Sequence, residues 1–113
     1  MNLTTEQAGT VAVVRVGEPR LMYPILSDFS SAVTAVITGG TRNIVIDLTP
    51  VTYVDSATIG CFMDLYRTLA GVDGHMALSG VQKRVETMLT MTGTQNFIAI
   101  HADEPSALRS FGG

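Results

Sequence analysis

The fold is decided by one short apolar run, Asn43-Ile44-Val45-Ile46-Asp47-Leu48. Its apolar side chains fall on both faces of an extended chain, which is typical of a strand buried between helices on either side. We therefore expect this strand to be central in a sheet. Asp47 lies near the end of the run, where a carboxylate is costly unless neighbouring backbone groups donate hydrogen bonds to it. We expect Asp47 to stabilise the turn that follows.

Upstream of this run, the pattern predicts a hairpin and then a helix. The β-rich apolar segment 11–16 predicts a strand that ends at Gly17, with its hairpin partner in residues 3–7. The helix is predicted to have Pro24 in its first turn and Gly39-Gly40 at its end. Its core-facing residues recur at three- and four-residue steps, and they are Leu26, Phe29, Val33, Val36 and Ile37.

Downstream, the pattern predicts a second helix and a repeated strand–helix unit. The helix starts at Asp55-Ser56 and ends at Gly71, and its apolar stripe consists of Ile59, Phe62, Met63, Tyr66, Leu69 and Ala70. The later elements are a strand at 75–79, a helix at 81–92, a strand at 96–100 and a short helix at 103–111. Buried strands joined by helices run parallel, with right-handed crossovers. We therefore predict an α/β fold, a mixed and mostly parallel β-sheet of about four to five strands covered by about four helices.

Composition limits the possible partners. The chain has 113 residues, 46% of them hydrophobic and 15% charged, so we expect residues 1–113 to form a single domain. Seven Lys and Arg against ten Asp and Glu give a net charge of −3, which is the wrong sign for binding a phosphate backbone. We therefore expect no nucleic acid partner.

Cysteine and histidine usage argues against a metal or cofactor site. Cys61 is the single cysteine, and only His75 and His101 accompany it, so the sequence has no zinc-ligand cluster. It also has no Gly-x-Gly-x-x-Gly or Gly-Lys-Ser loop, and we expect no cofactor. Neither a signal peptide nor an apolar run of the roughly 20 residues that span a bilayer is present. We expect a cytoplasmic protein with no direct membrane insertion.

The carboxyl ends of the predicted strands indicate where a ligand or partner would bind. They bring three segments to one edge of the sheet: Asp55-Ser56, Ser79-Gly80 and residues 101–103. Ser56 stands at a helix start, where its hydroxyl lies beside unpaired backbone N–H groups and the positive end of the helix dipole. A phosphate would be stabilised there. The alternative is an ordinary N-cap, formed by Ser56 or Asp55, which stabilises a helix by about 1 kcal/mol.

This turn carries a family resemblance. The turn has the sequence Val54-Asp55-Ser56-Ala57-Thr58-Ile59-Gly60. The strand at 43–48 comes before it, and the segment Gly74-His75-Met76-Ala77-Leu78 comes after it. In these three segments the chain resembles the STAS domain of bacterial anti-sigma factor antagonists. The segment 81–93, which ends in Thr92-Gly93, is similar to the third helix of that family. The resemblance extends from Thr10 to Leu108 and implies a STAS fold.

The resemblance implies a switch protein and not an enzyme. In the family, the serine after the aspartate is phosphorylated by an anti-sigma factor that is also a serine kinase, and that position is Ser56 here. The unphosphorylated antagonist binds the kinase and frees the sigma factor. The phosphorylated antagonist releases the kinase until a serine phosphatase restores it. We expect the domain to act as a monomer.

The resemblance also implies a partner-binding surface, which consists of Asp55, Ser56, Ala57, Thr58, Glu18, Arg20, Lys83 and Arg84. Two of these residues depart from the family pattern. Arg20 stands where the family often carries an acidic residue, and Thr58 replaces the usual glycine of the turn. Thr58 is a secondary candidate for phosphorylation or else a structural residue of the first helical turn. Lys83 and Arg84 are expected to face solvent and to serve either solubility or partner binding.

Two other functions fit parts of the sequence. A soluble STAS subunit of a membrane ABC-type lipid or anion transporter would have the same fold, although lipid-transport versions often place Thr at the position of Ser56. A small Ser hydrolase would need Ser56 beside His101 and an aspartate. The sequence lacks the Gly-x-Ser-x-Gly elbow that exposes such a nucleophile, so we expect no enzymatic activity.

Overall fold

Strands and helices alternate along the chain in the computed structural model, which describes residues 2–23 and 25–112. The strands are β1 (Leu3–Ala8), β2 (Val11–Val16), β3 (Arg20–Leu21), β4 (Asn43–Asp47), β5 (Tyr53–Val54), β6 (His75–Ser79) and β7 (Ala99–His101). The helices are α1 (Leu26–Thr38), α2 (Ser56–Ala70), α3 (Lys83–Met91) and α4 (Glu104–Ser110), and a 3₁₀ turn spans Thr94–Asn96. Within these described ranges, no helix is long and apolar enough to cross a membrane.

The large sheet has the strand order β1-β2-β4-β6-β7. β1 pairs antiparallel with β2 as the predicted hairpin, and the other pairings are parallel. β4 is therefore the middle strand, with β2 on one side and β6 on the other, as its two apolar faces predict. The mixed, mostly parallel sheet covered by helices is confirmed. Because the parallel strands end at the same level, the residues that follow Asp47, Ser79 and His101 lie together at the carboxyl-terminal end of the sheet.

A second, smaller sheet was not predicted. β3 and β5 pair in parallel, with Arg20 opposite Tyr53 and Leu21 opposite Val54. Leu21 and Val54 are buried in the core, while Arg20 and Tyr53 face outward. Two residues are too few to show a strand period in the sequence, so this pairing is visible only once the tertiary structure brings the segments together.

The two faces of the large sheet are covered unequally. Val45 of β4 faces one side, and its neighbours Ile44 and Ile46 face the other. α1, α2 and α3 pack over Ile44 and Ile46, and there Phe29 and Phe62 make an edge-to-face contact with ring centroids 5.9 Å apart. Of the described helices, α4 packs over the other face. The smaller core under α4 consists of Val11, Val13, Val45 and Ala107.

The helices differ in detail from their predicted positions. α1 begins at Leu26, and Pro24, which was predicted in its first turn, lies outside the described residues. α3 begins at Lys83, two residues later than predicted. The buried face of α2 consists of Thr58, Phe62, Leu65 and Leu69. The predicted apolar stripe of α2 is thus wrong in part. Ala70 is exposed, and the buried face includes Thr58 and Leu65 in place of the neighbouring Ile59 and Tyr66.

The last strand was predicted at residues 96–100, and it is present as β7 (Ala99–His101), but its predicted start is wrong. Gly93 adopts a left-handed conformation with φ of 76° and begins a 3₁₀ turn. The carbonyl oxygen of Thr94 then accepts the amide hydrogens of Phe97 and Ile98, both at 3.0 Å. These hydrogen bonds hold the chain in a turn through Phe97, so β7 starts at Ala99.

One edge strand of the large sheet is polar and the other is short. In β1, the four residues from Thr4 to Gln7 are exposed. β7 is only three residues long, and α4 starts directly beyond it. A short or polar edge offers little to a strand of another chain.

We predict that Gly80→Ala destabilises the domain by roughly 1–3 kcal/mol. Gly80 has a φ of 65°, and a Cβ atom there would lie 2.7 Å from Oδ1 of Asp47 and in collision with Thr49. The matched control is Gly60→Ala on α2, where a Cβ atom would meet open space. It should stabilise the helix by about 0.5–1 kcal/mol. Urea denaturation measures both free energies of unfolding, and equal stability of the two variants would contradict the strain assigned to Gly80.

Candidate functional site

The turn from Asp55 to Thr58 connects β5 to α2. Asp55 has an extended backbone with φ of −99° and ψ of 176°, and it is the N-cap of α2. Its Oδ1 accepts the Thr58 amide hydrogen at 2.8 Å, and its Oδ2 accepts the Tyr23 amide hydrogen at 3.2 Å. One carboxylate therefore caps the helix and fixes the segment that follows β3.

Ser56 is the first residue of α2 and is exposed. Since Asp55 provides the cap, the alternative that Ser56 is the N-cap is wrong. Among residues 2–23 and 25–112, no hydrogen bond involves the Ser56 hydroxyl. The hydroxyl is thus free to meet a partner, on a backbone that its neighbours hold in place.

Thr58 has the opposite environment. It is fully buried, and its hydroxyl lies 2.7 Å from both the Leu21 carbonyl oxygen and Oδ1 of Asp55, either of which can accept its hydrogen. This position matches the structural alternative for Thr58 given by the sequence. A kinase could not reach this hydroxyl without opening the start of α2, so the structure gives no support to Thr58 as a second phosphorylation site.

The hydrogen bonds around Asp55 favour its ionised form. Burial alone would raise the pKa of Asp55, but hydrogen bonds from the Thr58 hydroxyl and from the Thr58 and Tyr23 amides outweigh burial and lower this pKa. Because the pKa is lower in the folded chain than in the unfolded chain, the carboxylate contributes stability above the ordinary aspartate range. That contribution is lost as the pH falls through the folded pKa.

Two arginines of the predicted partner surface meet in one cleft. Arg20 on β3 and Arg84 on α3 line an opening of about 290 Å³, together with Thr52 and Tyr53. We call this opening the basic cleft. The loop between β2 and β3 is fixed beside it, since the Thr52 amide donates to the Pro19 carbonyl at 2.7 Å. The basic cleft therefore adjoins β5, which leads directly into Asp55.

The other two charged residues of that surface lie outside the cleft lining. Glu18 is half-buried, and its Oε2 accepts the backbone N–H of Asn2 at 2.9 Å. Lys83 is exposed as the first residue of α3, and Arg84 beside it is exposed as well. Both side chains thus face solvent as expected.

A second cleft was missed by sequence reasoning. It lies between α1 and α2, has a volume of about 510 Å³, and begins at Tyr23 and Ala57. We call it the helix cleft. Small residues make up much of its lining, among them Ser27, Ser30, Gly60 and Cys61. In the sequence, large or charged residues are scarce on the outer face of α1. This pattern indicates a cleft only once α1 is known to pack beside α2.

His101 does not belong to the site at Ser56. Its register partner Ser79 bonds to Asp47 on the face of the sheet that α4 covers, whereas α2 packs on the opposite face. Asp103 caps α4 by accepting the Ser106 amide hydrogen at 2.9 Å. The Ser-His-Asp arrangement that a hydrolase needs is thus not assembled around Ser56. In the described part of the chain, no group of three or more His, Cys, Asp or Glu could hold a metal ion.

The family can be assigned by comparison with known proteins. The sequence model of the STAS domain matches residues 2–107, which is nearly the whole chain. The chain belongs to the STAS domain family. The turn described above, from Asp55 to Thr58, therefore lies within a STAS domain.

Proteins similar to this chain include regulators and a transporter. The domain is 25% identical over 101 residues to the anti-sigma-B factor antagonist of Staphylococcus aureus strain NCTC 8325, covering 89% of this chain and 93% of the relative. It matches the structure of unphosphorylated SpoIIAA, an anti-sigma factor antagonist, with a TM-score of 0.84 at 19% identity, covering 99% and 98% of the two chains. It also matches the murine solute carrier 26 family member A9 anion transporter with a TM-score of 0.76 at 18% identity, covering 91% of this chain and 18% of the transporter. The two structural matches establish the fold.

We predict that Asp55→Ala lowers the free energy of unfolding of this STAS domain by about 1 kcal/mol at pH 7, the usual contribution of an N-cap. Asp55→Asn keeps the acceptor oxygen but has no ionisable group. Its stability should therefore fall less than that of the unmodified domain as the pH is lowered through the acid range. Urea denaturation between about pH 2 and pH 7 tests both variants. If Asp55→Asn lost stability with acid as steeply as the unmodified domain, the source of that loss would lie elsewhere.

Proposed function

We propose that this STAS domain is an anti-sigma factor antagonist that binds an anti-sigma factor serine kinase while Ser56 is unphosphorylated and releases it once Ser56 is phosphorylated. The observation that carries the proposal is the Ser56 hydroxyl, exposed at the first position of α2 on a turn that Asp55 and Thr58 hold in place. A fixed backbone with a free hydroxyl suits a residue that another protein must recognise and modify. A serine phosphatase would return the domain to its binding state.

A phosphate on Ser56 would be tolerated by the domain itself. The first turn of a helix leaves backbone N–H groups without intrahelical partners, and the helix dipole is positive at this end. Asp55 Oδ1 occupies the Thr58 amide, but the amides of Ser56 and Ala57 remain at the helix start. A phosphoserine here would therefore cost the fold little.

The same phosphate would oppose partner binding. Phosphorylation adds about −1.5 to −2 charges at pH 7, next to the ionised Asp55 carboxylate. In an interface, the added charge must lose its water and meets the negative charge of Asp55, and both effects weaken the complex. Release would thus follow from electrostatics at the interface and needs no change in the fold.

The proposed contact surface extends from the turn to the basic cleft. It comprises Asp55, Ser56 and Ala57, with Glu18, Arg20, Lys83 and Arg84 at its border. Arg20 and Arg84 give this border a positive charge although the chain as a whole carries −3. Such a local patch favours a protein partner with complementary carboxylates. We propose that the domain acts as a cytoplasmic monomer.

Two relatives support this function. The Staphylococcus aureus relative is an anti-sigma-B factor antagonist, which supports the antagonist role. SpoIIAA has been solved in an unphosphorylated and a phosphorylated form, which supports control by phosphorylation. The proposal would fail if this chain were a transporter subunit, which has the same fold. A test of Ser56 itself is therefore required.

We predict a phosphate on Ser56 in protein purified from its own cells. Peptide mass spectrometry before and after treatment with a serine phosphatase would detect it as a removable mass on the peptide that contains Ser56. Ser31, which is exposed on α1, is the internal control and should be unmodified. Unmodified Ser56 in abundant protein, across growth and stress conditions, would contradict the switch and favour the transporter-subunit function.

We further predict that Ser56→Asp weakens binding to the cognate kinase by about tenfold or more, because it places a second negative charge beside Asp55. Ser56→Asn is the matched control, with nearly the same shape and no charge, and should bind far more tightly than Ser56→Asp. Isothermal titration calorimetry gives both affinities. Equal affinity of the two variants would exclude charge as the basis of release.

A further inference from the structure

A row of polar side chains crosses the large sheet under α4. Arg15, Asp47, Ser79 and His101 are register partners on β2, β4, β6 and β7, so their side chains share the face that α4 covers. They stand at the carboxyl ends of these strands, where Glu104 begins α4. The proposed phosphorylation switch uses none of them.

Glu104 is held as an anion. Nε of Arg15 donates to its Oε2 at 2.7 Å and Nη2 donates to its Oε1 at 2.9 Å, which together form a bidentate pair. Nη1 of Arg15 donates to Oε1 of Glu6 on β1 at 2.6 Å. The hydrogen bonds from Arg15 lower the pKa of Glu104. Arg15 thus ties α4 to the first two strands.

Asp47 lies beside this pair, and no cation among the described residues forms a salt bridge with it. It is only 8% exposed, and Oδ1 accepts hydrogen bonds from the Thr49 amide at 3.3 Å, the Thr49 hydroxyl at 2.7 Å and the Ser79 hydroxyl at 3.2 Å. These bonds confirm that Asp47 stabilises the turn after β4. In the described ranges, no amide or hydroxyl donates to Oδ2. Arg15, the register partner of Asp47 on β2, binds Glu104 and so brings the Glu104 carboxylate to the side of Asp47.

We propose that Asp47 and Glu104 share one proton and that this proton latches α4 onto the sheet. Two neighbouring carboxylates with little access to solvent repel each other, whereas a protonated Asp47 can donate its O–H to Glu104. Arg15 stabilises the anionic form of Glu104, so the proton resides on Asp47. Burial raises the pKa of Asp47, and the adjacent Glu104 raises it further, in agreement with this assignment.

The attachment of α4 depends on few other contacts. The helix has seven residues and one fully buried side chain, Ala107, assisted by the partly buried Leu108 and Phe111. Because the pKa of Asp47 is higher in the folded than in the unfolded chain, the shared proton stabilises the fold at low pH. This stabilisation is lost as the pH rises through the folded pKa of Asp47. Loss of the proton would loosen α4 and expose the strand residues beneath it.

Other ionisable groups surround Asp47 and Glu104, and their effects on α4 must be distinguished from the effect of the shared proton. Glu6 on β1 and Arg15 on β2 form the ion pair already described, and Asp103 caps α4. His101 ends the row on β7, and its Nε2 atom is buried without a hydrogen-bond partner in the described part of the chain. His101 is therefore the competing source of a pH effect on α4, and the variants described below distinguish it from Asp47.

The proton can be located by carbon-13 NMR of the aspartate side-chain carboxyl groups during a pH titration. We expect Asp47 to titrate above the ordinary aspartate value of about 3.9. Asp103 is the internal control, because the hydrogen bonds from Ser106 lower its pKa. Glu104→Gln removes the neighbouring charge and should move the Asp47 titration to lower pH. Titration of Asp47 at or below the ordinary value would overturn the shared proton.

The latch is tested by hydrogen exchange of the α4 amides, corrected for the intrinsic pH dependence of exchange. In the unmodified domain, these amides should exchange about tenfold faster above the Asp47 titration than below it, as expected for the loss of one hydrogen bond to a charged group. Asp47→Asn is the matched variant, because its amide oxygen still accepts from Thr49 and Ser79 and its amide nitrogen donates to Glu104 at every pH. Slow exchange that no longer depends on pH is expected in this variant.

The exchange experiment also has outcomes that would overturn the latch. If exchange in α4 were independent of pH in the unmodified domain, the proton would not control the helix. If the pH dependence persisted in Asp47→Asn and disappeared in His101→Gln, it would belong to His101. None of these measurements involves Ser56, so the latch and the phosphorylation switch stand or fail separately.

Discussion

Burial of β4 on both of its faces is the constraint on which the rest of the structure depends. A strand without a solvent-facing side needs a strand on each edge and helices above and below, and β2, β6 and the four helices provide these. Helical crossovers make the pairing parallel and bring the carboxyl ends of the strands to one edge. The turn at Ser56 and the polar row under α4 therefore lie at the same, carboxyl-terminal end of the sheet but on its opposite faces.

Thr58 links the candidate site to the small sheet. Its hydroxyl reaches the Leu21 carbonyl of β3, while Asp55, next to β5, binds both Thr58 and the backbone of Tyr23. A glycine at position 58 would make the turn more flexible and would leave the buried Leu21 carbonyl without this donor. Thr58, where the family usually has glycine, thus restricts the backbone of the turn and adds a side-chain hydrogen bond. The result is a Ser56 presented from a well-fixed helix start.

Periodicity and capping residues predicted most of the fold and the position of the candidate site. β4, the hairpin and α2 were predictable because apolar spacing and Asp55 depend on local sequence alone. The pairing of β3 with β5, the late start of β7 and the burial of Thr58 were not, since each depends on contacts between segments distant in the chain. The same holds for the pairing of Asp47 with Glu104. Sequence can place a carboxylate at the end of a strand, but it does not show which second carboxylate a later helix will bring against it.

The two edges of the large sheet restrict how another protein can recognise this domain. β1 presents Thr, Glu and Gln side chains, with Glu6 held by Arg15, and β7 offers only three residues before the chain turns away. Neither edge is suited to extension of the sheet by a foreign strand. Side chains on helices and turns are therefore better suited than the sheet edges to contact another protein. Short or polar edges also disfavour edge-to-edge pairing between copies of this chain, which is how a sheet grows into a fibre.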